Sequence, residues 1–150
     1  MPLEDVDLTI RPAQAGDTPV LARLMCELGY QTTKSEMQMR VERIATDERY
    51  RVVVAVRNGK VCGMIATFAY YSFEHNDPSG RILALVTSST ARRTGIGHAL
   101  IVSAAEDFLR RGIRRVALET GFKREDAHKF YELGYERNGW RFVKQLATDY

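Results

Sequence analysis

Apolar positions along the chain follow two different repeats, and each change of repeat marks an element boundary. Asp7 to Arg11 alternates as a short strand, which the five residues from Pro12 to Gly16 break. Asp17 stands where an N-cap belongs, and Val20, Leu21, Leu24, Met25 and Leu28 fall on one side of a helix from Thr18 to Leu28, ended by Gly29. A polar link, Tyr30 to Lys34, precedes a second helix capped by Ser35 and running to Ala45, with Met37, Val41 and Ile44 on its apolar side. From Arg51 to Val56 the chain turns β-branched, and Asn58-Gly59 is a hairpin signal that leads into a long return strand, Val61 to Tyr71. Gly63 within that strand points to a bulge. The turn-forming run Asn76 to Gly80 brings the chain into an apolar strand, Ile82 to Val86.

Beyond Gly95 the repeat lengthens again. Ile96, Leu100, Ala104 and Phe108 form one row, and Ile101, Ala105 and Leu109 form the row beside it. Arg110, Arg111 and Gly112 close this helix, with cations at its negative end and a glycine for the left-handed exit. Arg114 to Glu119 is a further strand, parallel to Ile82–Val86 because a helix separates the two. A short helix from Glu125 to Leu133 follows, with Ala127, Phe130 and Tyr131 inward, and then a strand pair, Tyr135–Arg137 and Trp140–Gln145, around Asn138-Gly139. The order is β-α-α-β-β-β-α-β-α-β-β, an α/β (α+β) chain with an antiparallel front and one parallel pair in the middle. No repeat or linker splits it, so residues 1–150 read as one domain.

The joint between the Ile82–Val86 strand and the helix that follows carries the chemistry. A helix N-terminus offers unpaired N–H groups and about half a positive charge. Gly95 and Gly97 remove the side chains that would hold a ligand off that backbone, and Arg92 and Arg93 add fixed charge suited to phosphate. These features suit a diphosphate, against the simpler reading of a basic turn whose glycines serve the bend. A Walker loop needs Gly-Lys-Ser/Thr, which occurs nowhere in the chain. A dinucleotide fingerprint needs Gly or Ala where Leu100 stands, although Glu119 lies near the place of a ribose-binding acid. Coenzyme A is the third diphosphate that fits.

The run Arg92-Arg93-Thr94-Gly95-Ile96-Gly97 resembles the R/Q-x-x-G-x-G/A loop of the GNAT superfamily of N-acetyltransferases, and the element order is similar over nearly the whole chain. Leu118-Glu119, Ala127, Phe130-Tyr131 and Gly134-Tyr135 resemble the family's second conserved region. Two positions depart from it: Arg124 stands where many members carry asparagine, and the segment from Tyr131 to Tyr135 is one residue shorter. The resemblance implies a mixed, mostly antiparallel sheet of six to seven strands with a central parallel pair and about four helices. It implies acetyl-CoA as co-substrate, held by Arg92, Arg93, Thr94, Gly95, Ile96, Gly97, His98 and Arg124, and by backbone around Leu85, Val86 and Thr87. Glu119 is then the base that takes the amine proton, and Tyr131 the acid that protonates the leaving thiolate. Glu74 and His75 are weaker alternatives for the base. The implied reaction is direct attack of a primary amine on the thioester in a ternary complex. A nucleotide- or coenzyme A-binding module without transferase activity is the alternative.

Composition changes this picture little. Hydrophobic residues make up 45% and charged residues 27%, which is ordinary for a globular domain, and the net charge of +3 is too small to imply nucleic acid. The arginine pairs at 92/93, 110/111 and 114/115 read as a solvated face. Cys26 and Cys62 lie in apolar segments and read as free thiols; His98 and His128 have no ligand partner nearby in sequence, so no metal is expected. No signal peptide or membrane-spanning run occurs, and the expected setting is cytoplasmic without membrane attachment. The expected partner is a small-molecule or protein amine, with Tyr70, Tyr71, Phe73 and Trp140 available to line its pocket, and a homodimer is left open.

Overall fold

The computed structural model describes residues 7–92, 94–119, 135 and 142–146. Two compact units divide the chain at Ala117/Leu118. Every regular element described belongs to the first: β1 (Leu8–Pro12), α1 (Thr18–Leu28), α2 (Lys34–Ile44), β2 (Tyr50–Arg57), β3 (Lys60–Tyr70), β4 (Ser79–Thr87), α3 (Ile96–Arg110) and β5 (Val116–Ala117), with 3-10 turns at Ala15–Asp17 and Ser89–Ala91. In the second unit, Leu118, Glu119, Tyr135 and 142–146 are described, none of them in a helix or strand.

The five strands form one sheet in chain order, antiparallel from β1 to β4, with β5 parallel to β4. The hairpin forms at Asn58 and Gly59, whose positive φ of 54° and 74° suits the primed turn that Asn-Gly favours. The two faces follow from strand alternation. Val54, Met64 and Val86 meet Leu21, Leu24 and Met37 of α1 and α2 on one face. Ala55, Gly63 and Thr87, each one residue along, lie on the other, under α3.

Glycine sets how closely α3 settles on the sheet. A Cβ on Gly63 would stand 3.0 Å from Ile96 and 3.2 Å from Leu100, and one on Gly80 would stand 2.8 Å from the Phe108 ring. The two glycines therefore let opposite ends of α3 rest directly on backbone, with Ile96, Leu100 and Phe108 almost wholly buried. We expect Gly80→Ala to destabilise the protein by about 1–3 kcal/mol in urea unfolding, since a buried ring must yield, and Phe108→Leu in the same chain to recover part of that loss.

Several boundaries differ from the sequence expectation. The cap of α2 is Thr33, whose hydroxyl accepts from the Glu36 N–H while the Glu36 carboxylate accepts from the Thr33 N–H; Ser35 lies inside the helix. Asp17 does not cap α1 with its side chain. Its carboxylate is already taken by Arg11, at 2.8 and 3.0 Å, and by the Gln14 N–H at 2.7 Å. The strand predicted at Arg114–Glu119 is reduced to Val116–Ala117. The six to seven strands and four helices of the expected fold are not reached: five strands and three α-helices stand among the described residues. The helix at 125–133, the strand at 135–137 apart from Tyr135, and Trp140 lie outside them. Phe142–Gln145, expected in a strand, is described without strand pairing; alternation gives a segment a face, but only a ladder partner makes it a strand.

The arginine pairs at 110/111 and 114/115 are not merely solvated. Arg111 donates to Asp107 at 2.9 Å and to the Glu48 carbonyl at 3.2 Å, and Arg115 reaches Asp77 and the Ser79 hydroxyl at 3.2 and 3.1 Å. Hydrogen bonding from Arg115 holds the Asp77 carboxyl below its ordinary range. Hydrogen bonding from Arg11 does the same for the nearly buried Asp17, outweighing the opposing effect of burial. A folded-state pKa below the unfolded one stabilises the protein above the unfolded value, near 4, and this stabilisation fades as pH falls through the folded value. Asp17→Asn should therefore cost about 1–3 kcal/mol at pH 7, with the gap from wild type closing below about pH 4 in acid-unfolding curves.

Candidate active site

The site begins with one extra residue in β4. Ala84 pairs with Ala66 and Ile82 with Thr67, so Leu83 has no partner in β3 and is about half exposed. The extra residue reverses which edge each amide faces. Before it, Gly80 N–H donates across to the carbonyl of Arg115, the residue before β5, at 2.8 Å. After it, Ser88 N–H donates to the Cys62 carbonyl on the β3 side at 2.8 Å. By alternation Val86 N–H also faces β3, and the amides of Leu85 and Thr87 face the other edge. There β5 pairs only with Gly80 and Arg81, so among the described residues no strand partner meets Leu85 or Thr87 on that side.

The loop from β4 to α3 is pinned residue by residue. Ser89 N–H donates to Glu27 Oε1 at 2.8 Å, Ala91 N–H donates to the Ser88 carbonyl at 2.9 Å, and the Thr94 hydroxyl donates to the Ala91 carbonyl. Arg92 is exposed and folds back, its Nε 3.4 Å from the Thr87 carbonyl. Gly95 then caps α3 with φ 84° and ψ 4°, a left-handed conformation that an L side chain resists. The first intrahelical bond of α3 runs from Ala99 N–H to the Gly95 carbonyl at 3.0 Å. The N–H groups of Ile96, Gly97 and His98 precede it, and no side chain among the described residues caps them. A Cβ on Gly95 would meet nothing within 4 Å, and one on Gly97 would approach only Thr87 Oγ1, at 3.6 Å. Ile96 anchors the turn in the core while Thr94, Gly95 and His98 stay exposed. Amides without an intrahelical acceptor, open space beside Gly95 and the positive end of a 15-residue helix fit a diphosphate.

Of the expected site residues, Leu85, Val86, Thr87, Arg92, Thr94, Gly95, Ile96, Gly97 and His98 are thus gathered at this one joint. Arg93, Arg124 and Tyr131 lie outside the described residues. Glu119 is exposed and belongs to the second unit, two residues past the end of β5. Glu74 and His75 are exposed in the connection between β3 and β4. Two features were not foreseen. The bulge at Leu83 leaves no mark in an apolar run, and the Gly63 signal belongs instead to the neighbouring irregularity where Cys62 is the extra residue against β2. Glu27 lies 62 residues from its partner, and no local pattern links the two.

A cavity of about 780 Å³ opens elsewhere on the α3 face, with Ile10, Val53, Ile65, Ala104 and Asp107 among its lining, and none of residues 85–98 takes part. Among the described residues no three His, Cys, Asp or Glu side chains converge as a metal site would require, and no helix is long and apolar enough to cross a membrane.

Comparison with known proteins gives the family of the chain. The family model described as "Acetyltransferase (GNAT) family" matches residues 20–135. An aminoalkylphosphonate N-acetyltransferase of Salmonella typhimurium is 33% identical in an alignment of 143 positions that covers 91% of this chain and 90% of that protein. Among solved structures, one described as a transcriptional regulator from Bacillus halodurans superposes with a TM-score of 0.84 at 25% identity, covering 93% of this chain and 99% of that one. A GNAT family acetyltransferase from Staphylococcus aureus gives 0.80 at 25% identity, with the same coverage. The match spans β4, α3 and the loop between them, and the chain belongs to the GNAT family of acetyltransferases, as an N-acetyltransferase that uses acetyl-CoA.

Proposed function

We propose that the chain moves the acetyl group of acetyl-CoA to a small primary amine that carries an anionic group, by direct attack in a ternary complex. The observation that carries the cofactor part is the uncapped start of α3 beside the bulged edge of β4. Acetyl-CoA supplies a thioester carbonyl already activated for acyl transfer. The diphosphate is held by the N–H groups of Ile96, Gly97 and His98 with Arg92 and Thr94, and the family resemblance adds Arg93 and Arg124, which lie outside the described residues. Amides on the open edge of β4, those of Leu85 and Thr87, orient the cofactor arm and polarise the carbonyl; donors of this kind typically contribute ~3 kcal/mol to a transition state.

Two roles rest on the resemblance alone. An alkylamine of pKa ~10.4 is about 0.1% neutral near pH 7, a cost of roughly 4 kcal/mol, so Glu119 is assigned to take the amine proton. As the N–C bond forms and the C–S bond breaks, Tyr131 gives a proton to the sulfur. Glu119→Gln should lower kcat/KM on the order of 10²-fold, most strongly on the acid side of the pH profile, with the Kd for acetyl-CoA unchanged. A profile of unchanged shape and height reduces Glu119 to a strand-end acid.

The acceptor class comes from the Salmonella relative, named for aminoalkylphosphonates and similar over 91% of this chain. Thiol release from acetyl-CoA, measured against aminoalkylphosphonates, amino acids, an aminoglycoside, a peptide amine and uncharged alkylamines, tests it. We expect kcat/KM for an aminoalkylphosphonate to exceed that for the matching alkylamine at least tenfold. Equal rates would remove the anionic group from the assignment, and turnover of no amine despite acetyl-CoA binding would favour the binding-module alternative.

A further inference from the structure

The last turn of α1 holds an acid that the helix itself disfavours. Glu27 stands next to the C-terminal residue of α1, where the macrodipole is negative, and that turn contains no basic residue to offset it. Its carboxylate is engaged across the fold, accepting the Ser89 N–H at 2.8 Å. Ser89 opens the 3-10 turn that leads from β4 toward α3, and its N–H has no other described acceptor. The turn that carries Glu27 is itself fixed: the Cys26 thiol bridges the Thr32 N–H and carbonyl at 3.4 Å each, and Gly29 closes the helix in the left-handed conformation. A carboxylate on a bonded support thus holds the first residue of the 3-10 turn in the loop that leads to the α3 amides.

We infer that Glu27 is a positioning residue for cofactor binding: through the Ser89 amide it keeps the β4–α3 loop in its binding conformation before acetyl-CoA arrives. The inference rests on the cofactor site proposed above. Without the bond, the ordering of the loop has to be driven by the cofactor itself, which weakens binding and leaves the reacting groups untouched. The effect therefore falls on Kd and KM for acetyl-CoA and spares kcat. Only an acceptor atom is needed, so glutamine, which keeps a carbonyl oxygen and loses the charge, should serve as well.

The test uses both ends of the bond. In Glu27→Ala, Kd by calorimetry and KM for acetyl-CoA should rise about tenfold, with kcat within about threefold of wild type. Glu27→Gln should restore both to within about twofold. Ser89→Pro deletes the donor from the other side. Ser88 already has φ −52° and ψ 142°, as a residue before proline prefers, and proline is accepted at the first position of a helical turn. Ser89→Pro should reproduce the loss, and Glu27→Ala combined with Ser89→Pro should be no worse than either alone, because both remove the same bond. Wild-type affinity in folded Ser89→Pro overturns the inference, as does a Glu27→Gln variant as weak as Glu27→Ala, or additive losses in the double variant. Gly95→Asp serves as the control: if it binds acetyl-CoA normally, the cofactor site itself is misplaced; if it fails to bind while Ser89→Pro binds normally, only the role of Glu27 is lost.

Discussion

Gly95→Asp is expected to weaken acetyl-CoA binding on the order of 10²-fold or more while leaving the protein folded. The backbone there is left-handed, at φ 84°, which costs a side chain about 1 kcal/mol, and aspartate is among the residues that tolerate it. Nothing lies within 4 Å of the new Cβ, so no clash adds to that cost. A capping bond to the first-turn amides needs extended backbone, which φ 84° is not, so the effect falls to the charge of the carboxylate. A negative charge about 5 Å from a phosphate repels it by about 3 kcal/mol at an effective dielectric constant near 20. Gly95→Asn separates the causes, because it has the same backbone tolerance without the charge. Calorimetry should rank wild type above Gly95→Asn, and Gly95→Asn well above Gly95→Asp. Unaltered affinity in a folded Gly95→Asp protein would place the diphosphate elsewhere.

Tyr131→Phe should lower kcat by roughly 10²–10⁴-fold, the usual worth of acid–base assistance, with little change in acetyl-CoA affinity. A phenol of pKa ~10 lies above the thiol it protonates, so it holds its proton at working pH and releases it only as charge builds on sulfur. Phenylalanine keeps the ring and deletes the donor. A packing role and an acid role therefore separate: packing alone predicts full turnover and a loss of ~1 kcal/mol of stability at most. The acid role also predicts that the high-pH limb of the kcat profile, where the phenol ionises, disappears. Turnover near wild type, with the amine saturating and chemistry rate-limiting, would sink the assignment.

Sequence signals that act within a few residues were legible, and those that depend on distant partners were not. Asn58-Gly59 named its turn, and the rows Ile96/Leu100/Ala104/Phe108 named the buried face of α3, because in each case the residues carry the geometry themselves. Gly80 was misread as part of a turn; it lies in β4, where its missing side chain makes room for Phe108, 28 residues away. Asp17 looked like a cap because nothing nearby revealed that Arg11 would claim both carboxylate oxygens. The loop into α3 was readable at Gly95, whose left-handed φ of 84° is a conformation glycine takes without strain. The Glu27 contact that steadies it was not, since one carboxylate among many bears no sign of a partner on another element.

The unpaired Leu83 places an unusual constraint on β4. Its side chain is about half exposed, so many residue types are compatible with that position. Its presence as a counted residue is another matter. Removing it would set Ile82, opposite Thr67, directly beside Ala84, opposite Ala66, in a regular ladder, so Val86 would keep Met64 as partner and its face toward α1. What the deletion would take away is the local bend and added twist of a bulged strand, just where β5 stops pairing with β4. Descendants of this chain can therefore vary in what stands at 83, and loss of the residue itself would straighten β4 without turning its core face outward.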